Sequence, residues 1–274
     1  MRAGPPGAQG WGKDRKRAVL SLTFDNLGEA ADLEFGTWPA HMPVGSHYTI
    51  VDVVPQLLQR LDGISVTFFA EGWNADTYPD TLRAIADHDH EVGLHGWRHE
   101  IWSKLDASTE RTLFEKSVTA MRRIGLDPKG FRPPGGAATE QLPALLRAQG
   151  MTYMSAVGEG DSVAGGIART PFAWKGVDGV YLQPELGKAV GLATGELSNG
   201  ATGADAVAAE FSRAIANALE TGSHTVLVFH PWLLGQDPKR MDALEAVMDA
   251  AKAERDLWIA PCREVAGWLL QEHA

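Results

Sequence analysis

Two kinds of apolar pattern alternate along this chain. Short unbroken apolar runs cover residues 18–24, 64–70, 91–95, 130–132, 152–157, 177–182, 225–229 and 257–259. Such runs read as strands buried on both faces, as in a parallel sheet. Between them, apolar residues recur every three or four positions over 50–61, 77–88, 108–124, 138–149, 204–220, 239–253 and 262–272. That period predicts amphipathic helices. Asp62-Gly63 stops the first of them, Ser108 or Thr109 caps the third and Gly125 ends it. Strand–helix alternation without a break in composition predicts one α/β domain over residues 17–274, with seven or eight parallel strands in a (β/α) barrel. Residues 1–16, rich in Gly, Pro and charge, are expected to form a flexible N-terminal arm. The glycine-rich stretches 158–168 and 187–203 read as loops.

Composition narrows the chemistry. The 274 residues include 25 Lys or Arg and 35 Asp or Glu, so the net charge is 25 − 35 = −10. This excludes a basic nucleic-acid-binding face, and no nucleic-acid partner is expected. The single cysteine, Cys262, excludes a disulfide framework and any cysteine-rich metal cluster. No stretch has the unbroken apolar length of a transmembrane helix, so no membrane partner is expected. The N-terminal residues lack the apolar core of a signal peptide, which makes the cytoplasm the expected location. Metal chemistry, if present, falls to histidine and oxygen ligands.

Polar residues sit at or just beyond the ends of the apolar runs: Asp25-Asn26, His95, Arg132, Trp174 and His230. In a parallel barrel those ends share one face, where residues distant in sequence converge. Each has an ordinary reading as well. His95 and His99 are spaced to grip one divalent ion if residues 95–99 start a helical turn, and otherwise are plain hydrogen-bonding histidines. Asp25 is a general base or metal ligand, or else a turn residue. Arg132, followed by Pro133-Pro134-Gly135-Gly136, could orient a carboxylate through paired hydrogen bonds, or could be a surface arginine on a turn. His230 suits protonation of a leaving group, or is a satisfied core histidine. Trp97, Trp174 and Trp232 offer flat faces for a sugar ring or heterocycle, or are core packing.

Taken in order, these pieces resemble the polysaccharide deacetylase (NodB-homology) family. Thr23-Phe24-Asp25-Asn26 matches its T-F-D-D motif except at the last position, and His95 and His99 match H-x-x-x-H. Arg132, Pro134 and Gly136 match R-x-P-x-G, and Leu227 to His230 match its closing strand-and-histidine motif. Within the family, His95-Gly-Trp-Arg-His-Glu100, the stretch from Pro171 to Trp174 with Asp178, and His230-Pro231 are similar to allantoinase-like and cyclic-imide-hydrolase-like members. The resemblance implies a distorted barrel that hydrolyses an amide C–N bond. It also implies Asp25 as base, Arg132 as its orienting partner and His230 as general acid. His95 and His99 would bind a divalent metal, commonly zinc, with Asn26 in place of the usual aspartate. Pro134, Trp97, Trp174 and Trp232 are expected to contact substrate, and Trp174 or Asp178 would fill a supporting role.

Asn26 departs from the pattern: an amide oxygen coordinates a cation but carries no charge. Muramic-acid deacetylases resemble this chain there, and some allantoinase-like members work without metal. The leading expectation is metal-assisted deacetylation of an N-acetylated sugar or similar small N-acyl substrate. The alternative is ring opening of a cyclic amide or imide without metal. A carbohydrate-binding pseudoenzyme is a third reading, with the lost aspartate as its support. The branch resemblance also allows a homo-oligomer, though no segment identifies an interface.

Overall fold

The computed structural model describes residues 10–192 and 202–273. Among the described residues, nine strands form one sheet: β1 Ala18–Asp25, β2 Thr67–Ala70, β3 Glu91–Leu94, β4 Gly130–Phe131, β5 Tyr153–Met154, β6 Ser162–Ala164, β7 Ile167–Arg169, β8 His224–Phe229 and β9 Leu257–Ile259. Their order is β6-β7-β5-β4-β3-β2-β1-β8, with β9 beside the start of β1. One edge of β1 therefore holds two strands in series. Ala18 pairs with Leu257 of β9, and Thr23 pairs with Thr67 of β2. All pairs are parallel except β6 with β7. The sheet curls into a half-barrel, and isolated bridges Val157–Phe172 and Val177–Val228 carry the chain across its open side.

The strand period of two sorts side chains into two layers. Leu20, Leu22 and Phe24 of β1 join the larger core beneath the helices, with Phe68, Leu94, Phe131 and Phe229. That core is covered by α1 Ala30–Phe35, α2 Val54–Arg60, α3 Asn74–Thr77, α4 Pro79–Asp87, α5 Ala107–Arg123 and α6 Leu142–Ala148, then by α7 Asp178–Leu182, α8 Pro184–Ala189, α9 Ala204–Thr221, α10 Pro231–Leu234 and α11 Pro238–Ala253. The alternate residues face the barrel interior, where Val19, Phe69, Tyr153 and Ala168 meet Cys262, Val265, Ala266 and Leu269 of α12, Cys262–Glu272. Helix α12 thus closes the end of the barrel opposite the strand C-termini.

Three local expectations change. Residues 177–182 are not a strand: apart from the Val177 bridge they form α7. Their apolar positions 177, 180 and 181 fit a helical period as well as an extended one, and short apolar runs do not separate the two. Residues 158–168 are not all loop. β6 and β7 form a hairpin turned by Gly165 and Gly166, both at positive φ, as a two-residue hairpin turn requires. The flexible arm does not extend to residue 16. Trp11 is 1% exposed, bridges to Lys16, stacks 4.8 Å from Trp268 and donates from Nε1 to the Gly222 carbonyl at 2.9 Å. Burying one indole outweighs the polar composition around it. Residues 1–9 and the 193–201 part of the expected 187–203 loop lie outside the described residues. No helix among the described residues is long and apolar enough to cross a membrane.

Candidate active site

Because β1, β3, β4 and β8 run parallel, Asp25, His95, Arg132 and His230 emerge at one end of the barrel. They line a cavity of about 650 Å³ together with Asn26, His99, Phe35, Phe172, Trp174 and Trp232. Eight of the ten site residues expected from the sequence thus share one space, with Trp174 and Trp232 in its wall. The other two behave differently. Trp97 is buried outside the cavity with the Lys116 ammonium 3.7 Å from its ring centre, and Pro134 packs beneath Gly96. The neighbouring Pro133 lines the cavity instead.

Arg132 is fully buried and joins two strand ends. Its Nη1 donates to Asp25 Oδ1 at 2.7 Å and to Thr23 Oγ1 at 2.8 Å, and its Nη2 donates to Ser155 Oγ at 2.9 Å. The guanidinium carbon lies 4.2 Å from the Phe69 ring centre and 5.0 Å from that of Phe172. Aromatic faces on both rings compensate a cation whose Nε has no partner. Asp25 is only 4% exposed, so the arginine offsets the burial of its charge and fixes its rotamer.

His230 is held by a second carboxylate. Its Nδ1–H donates to Asp178 Oδ1 at 2.6 Å, and its backbone N–H donates to Asp178 Oδ2 at 2.8 Å. Asp178, at the start of α7, is fully buried. Burial opposes a charge on His230, but the Asp178 carboxylate and its hydrogen bond, with Asp25 beyond, raise its pKa above the ordinary 6.5. The dyad leaves Nε2 as the free ring nitrogen.

The two other histidines have the opposite character. Burial pushes both His95 and His99 down to about 3, His99 further opposed by His95 itself, so both are neutral imidazoles. His95 Nδ1–H donates to the Arg132 carbonyl at 2.8 Å, which leaves Nε2 as a lone pair. The expected helical turn over 95–99 does not form. Gly96 and His99 both take left-handed backbone, φ 73° and 74°, and these bends bring the two rings to 4.9 Å. Glu100 fixes the turn by accepting the backbone N–H groups of Trp97 and Arg98, each at 3.0 Å.

Sequence reasoning gave Asp178 only a weak supporting place, and it missed Ser155, Thr23 and Glu100 as partners. Asp178 stands inside an apolar run that read as strand, where its carboxylate had no visible partner. The others act through contacts between residues far apart in the chain, for which a single sequence carries no signal.

A curled parallel barrel with one buried carboxylate–arginine pair and one carboxylate–histidine pair at its mouth defines an acid–base site on an α/β scaffold. The polysaccharide deacetylase family model matches residues 12–154, more than half of the chain, and the chain belongs to that family. It is similar to chitin deacetylase 1 of Saccharomyces cerevisiae, 37% identical over 89 residues, covering 32% of this chain and 30% of that protein. The matched region spans about a third of the length of the curated relatives. Among solved structures, a candidate polysaccharide deacetylase from Mycobacterium smegmatis superposes with TM-score 0.82 at 25% identity, covering 98% of this chain and 96% of that one. Puue allantoinase shares the fold with TM-score 0.77 at 17% identity, covering 99% and 95%.

Proposed function

We propose that this chain hydrolyses the C–N amide bond of an N-acyl substrate, with removal of acetate from an N-acetylated sugar or similar small molecule as the leading case. The observation that carries this reading is the pair of dyads, Arg132–Asp25 and Asp178–His230, which present Asp25, Arg132 and His230 to one cavity. Asp25, oriented by Arg132, takes a proton from the attacking water as it adds to the acyl carbon. His230, whose protonated form Asp178 favours, gives a proton to the departing nitrogen as the C–N bond breaks. The products are a carboxylate and an amine. Family membership and the likeness to a chitin deacetylase support this reaction.

The residues at the mouth fit a divalent cation with a neutral donor set. Asn26 Oδ1 and His99 Nδ1 are buried without a hydrogen-bond partner, and His95 Nε2 is a free lone pair. No three His, Cys, Asp or Glu side chains among the described residues converge as a metal cluster. Asn26, His95 and His99 would hold the ion, zinc in the leading case. When bound, it supplies Lewis-acid polarisation of the acyl oxygen.

The second reading is opening of a cyclic amide or imide without metal. It is favoured by the flat apolar walls from Phe35, Phe172, Trp174 and Trp232, and by the absence of charge in the donor set. Both readings make the substrate a small molecule. One experiment separates them: turnover of a panel of N-acetyl sugars and cyclic imides, before and after chelation. Acetate release lost on chelation and restored by zinc supports the first reading. Chelation-resistant ring opening supports the second, and no turnover of either class overturns both.

A further inference from the structure

The turn that carries Asn26 into the cavity is not held by regular secondary structure. Asn26 and Gly28 both adopt left-handed backbone, φ 63° and 64°. Between them, both backbone groups of Leu27 are taken by side chains from the far end of β2. The Leu27 N–H donates to Glu71 Oε2 at 3.2 Å, and Asn74 Nδ2 donates to the Leu27 carbonyl at 2.9 Å. Asn74 also donates to Glu71 Oε2 at 2.8 Å, so the two side chains brace each other. Glu71, Asn74 and Leu27 are all fully buried.

The same segment grips the histidine turn with its backbone. Gly72 N–H donates to the Gly96 carbonyl and Trp73 N–H to the Trp97 carbonyl, each at 2.9 Å. Residues 71–74 therefore touch both turns that supply the proposed cation ligands. Packing alone does not explain a carboxylate at position 71. Glu71 Oε1 has no partner in a fully buried setting, and an unmatched buried polar atom is destabilising. An apolar side chain would avoid that cost but could not accept the Leu27 N–H.

We propose that Glu71 and Asn74 are positioning residues: they clamp Leu27 so that Asn26 is held in register with His95 and His99. This rests on the reading of the cavity as a cation-assisted hydrolytic site. Burial pushes the Glu71 carboxyl up to about 8, so near neutrality glutamine preserves both its shape and its lack of charge.

The test compares Glu71→Gln, Glu71→Leu and Asn74→Ala with the parent protein. Zinc affinity is read by calorimetry on chelator-stripped protein, kcat and KM on an N-acyl substrate, and the Asn26 position by crystallography. E71Q should stay within about threefold of the parent in zinc affinity and kcat, because it keeps the acceptor for Leu27. E71L should lose about tenfold or more in zinc affinity and in kcat, with KM little changed, and Asn26 should move by about 1 Å. N74A should fall in the same direction and replaces E71L as the test if that variant does not fold. A folded E71L or N74A with parent-like zinc affinity, kcat and Asn26 position overturns the proposal, as does an E71Q variant damaged as severely as E71L. If the parent neither binds zinc nor turns over substrate, the cation reading falls. The Asn26 displacement still decides whether the clamp positions that residue.

Discussion

Replacing Asp178 by asparagine removes one charge from the His230 dyad while keeping an oxygen for the His230 backbone N–H. In the native protein the short Nδ1–Oδ1 contact of 2.6 Å lies where Asp178 is fully shielded from water. A hydrogen bond to a charged partner in such a place contributes about 1.5–3 kcal/mol, and here it favours the protonated imidazole. Without the charge, the burial that already opposes protonation prevails. The protonated fraction above neutrality, and with it the rate if His230 is the general acid, should fall roughly 10- to 100-fold.

The direction is specific. His230 has its pKa raised, so the protonated acid is present at low pH and is lost as pH rises through the raised value. Its contribution to stability follows the same course, complete below the ordinary value and fading above it. Asp178→Asn should therefore move the alkaline limb of the kcat profile to lower pH. Kinetics from pH 5 to 10 on protein verified by circular dichroism would measure it. An alkaline limb that stays fixed in Asp178→Asn refutes the assignment of His230 as the acid.

Three further outcomes follow from other contacts. Arg132→Met should destabilise the fold by about 3–5 kcal/mol in urea unfolding, because it leaves the buried Asp25 charge without its partner; a loss under about 1 kcal/mol would show that solvent reaches Asp25. Asn26→Asp adds a charge to a neutral donor set and should tighten zinc binding about tenfold or more by calorimetry, whereas unchanged affinity would remove Asn26 from the ligand set. Trp11→Ala should cost about 3–5 kcal/mol in thermal unfolding, since the indole is buried against Trp268; a negligible change would restore the loose-arm picture.

The legibility of this chain in its sequence follows the physics of each signal. Helices α5, α9, α11 and α12 span three turns or more, and their apolar periodicity marks each to within two residues of its observed ends. Strand ends were legible because a polar residue breaking an apolar run is a sharp event, and that event picks out Asp25, His95, Arg132 and His230. Segments of five or six residues were not: α7 satisfies the spacing of either helix or strand, and only its packing against His230 decides. Backbone handedness was also hidden. Nothing in the letters of His95 to His99 announces two left-handed bends, although the short distance between the rings depends on them.

The division of charge at the cavity favours acid–base work by two residues over a strongly charged metal centre. Each group of the proposed acid–base pair has its own partner: Arg132 beside Asp25, and Asp178 beside His230, whose protonated form it favours. His95, His99 and Asn26 have no such partner and stay neutral, so a cation bound there would draw its favourable field mainly from Asp25, one position away from Asn26. That carboxylate is already committed to Arg132. Under the proposed function, a bound cation would compete with Arg132 for Asp25, and a tighter hold on the cation would loosen the grip on the proposed base.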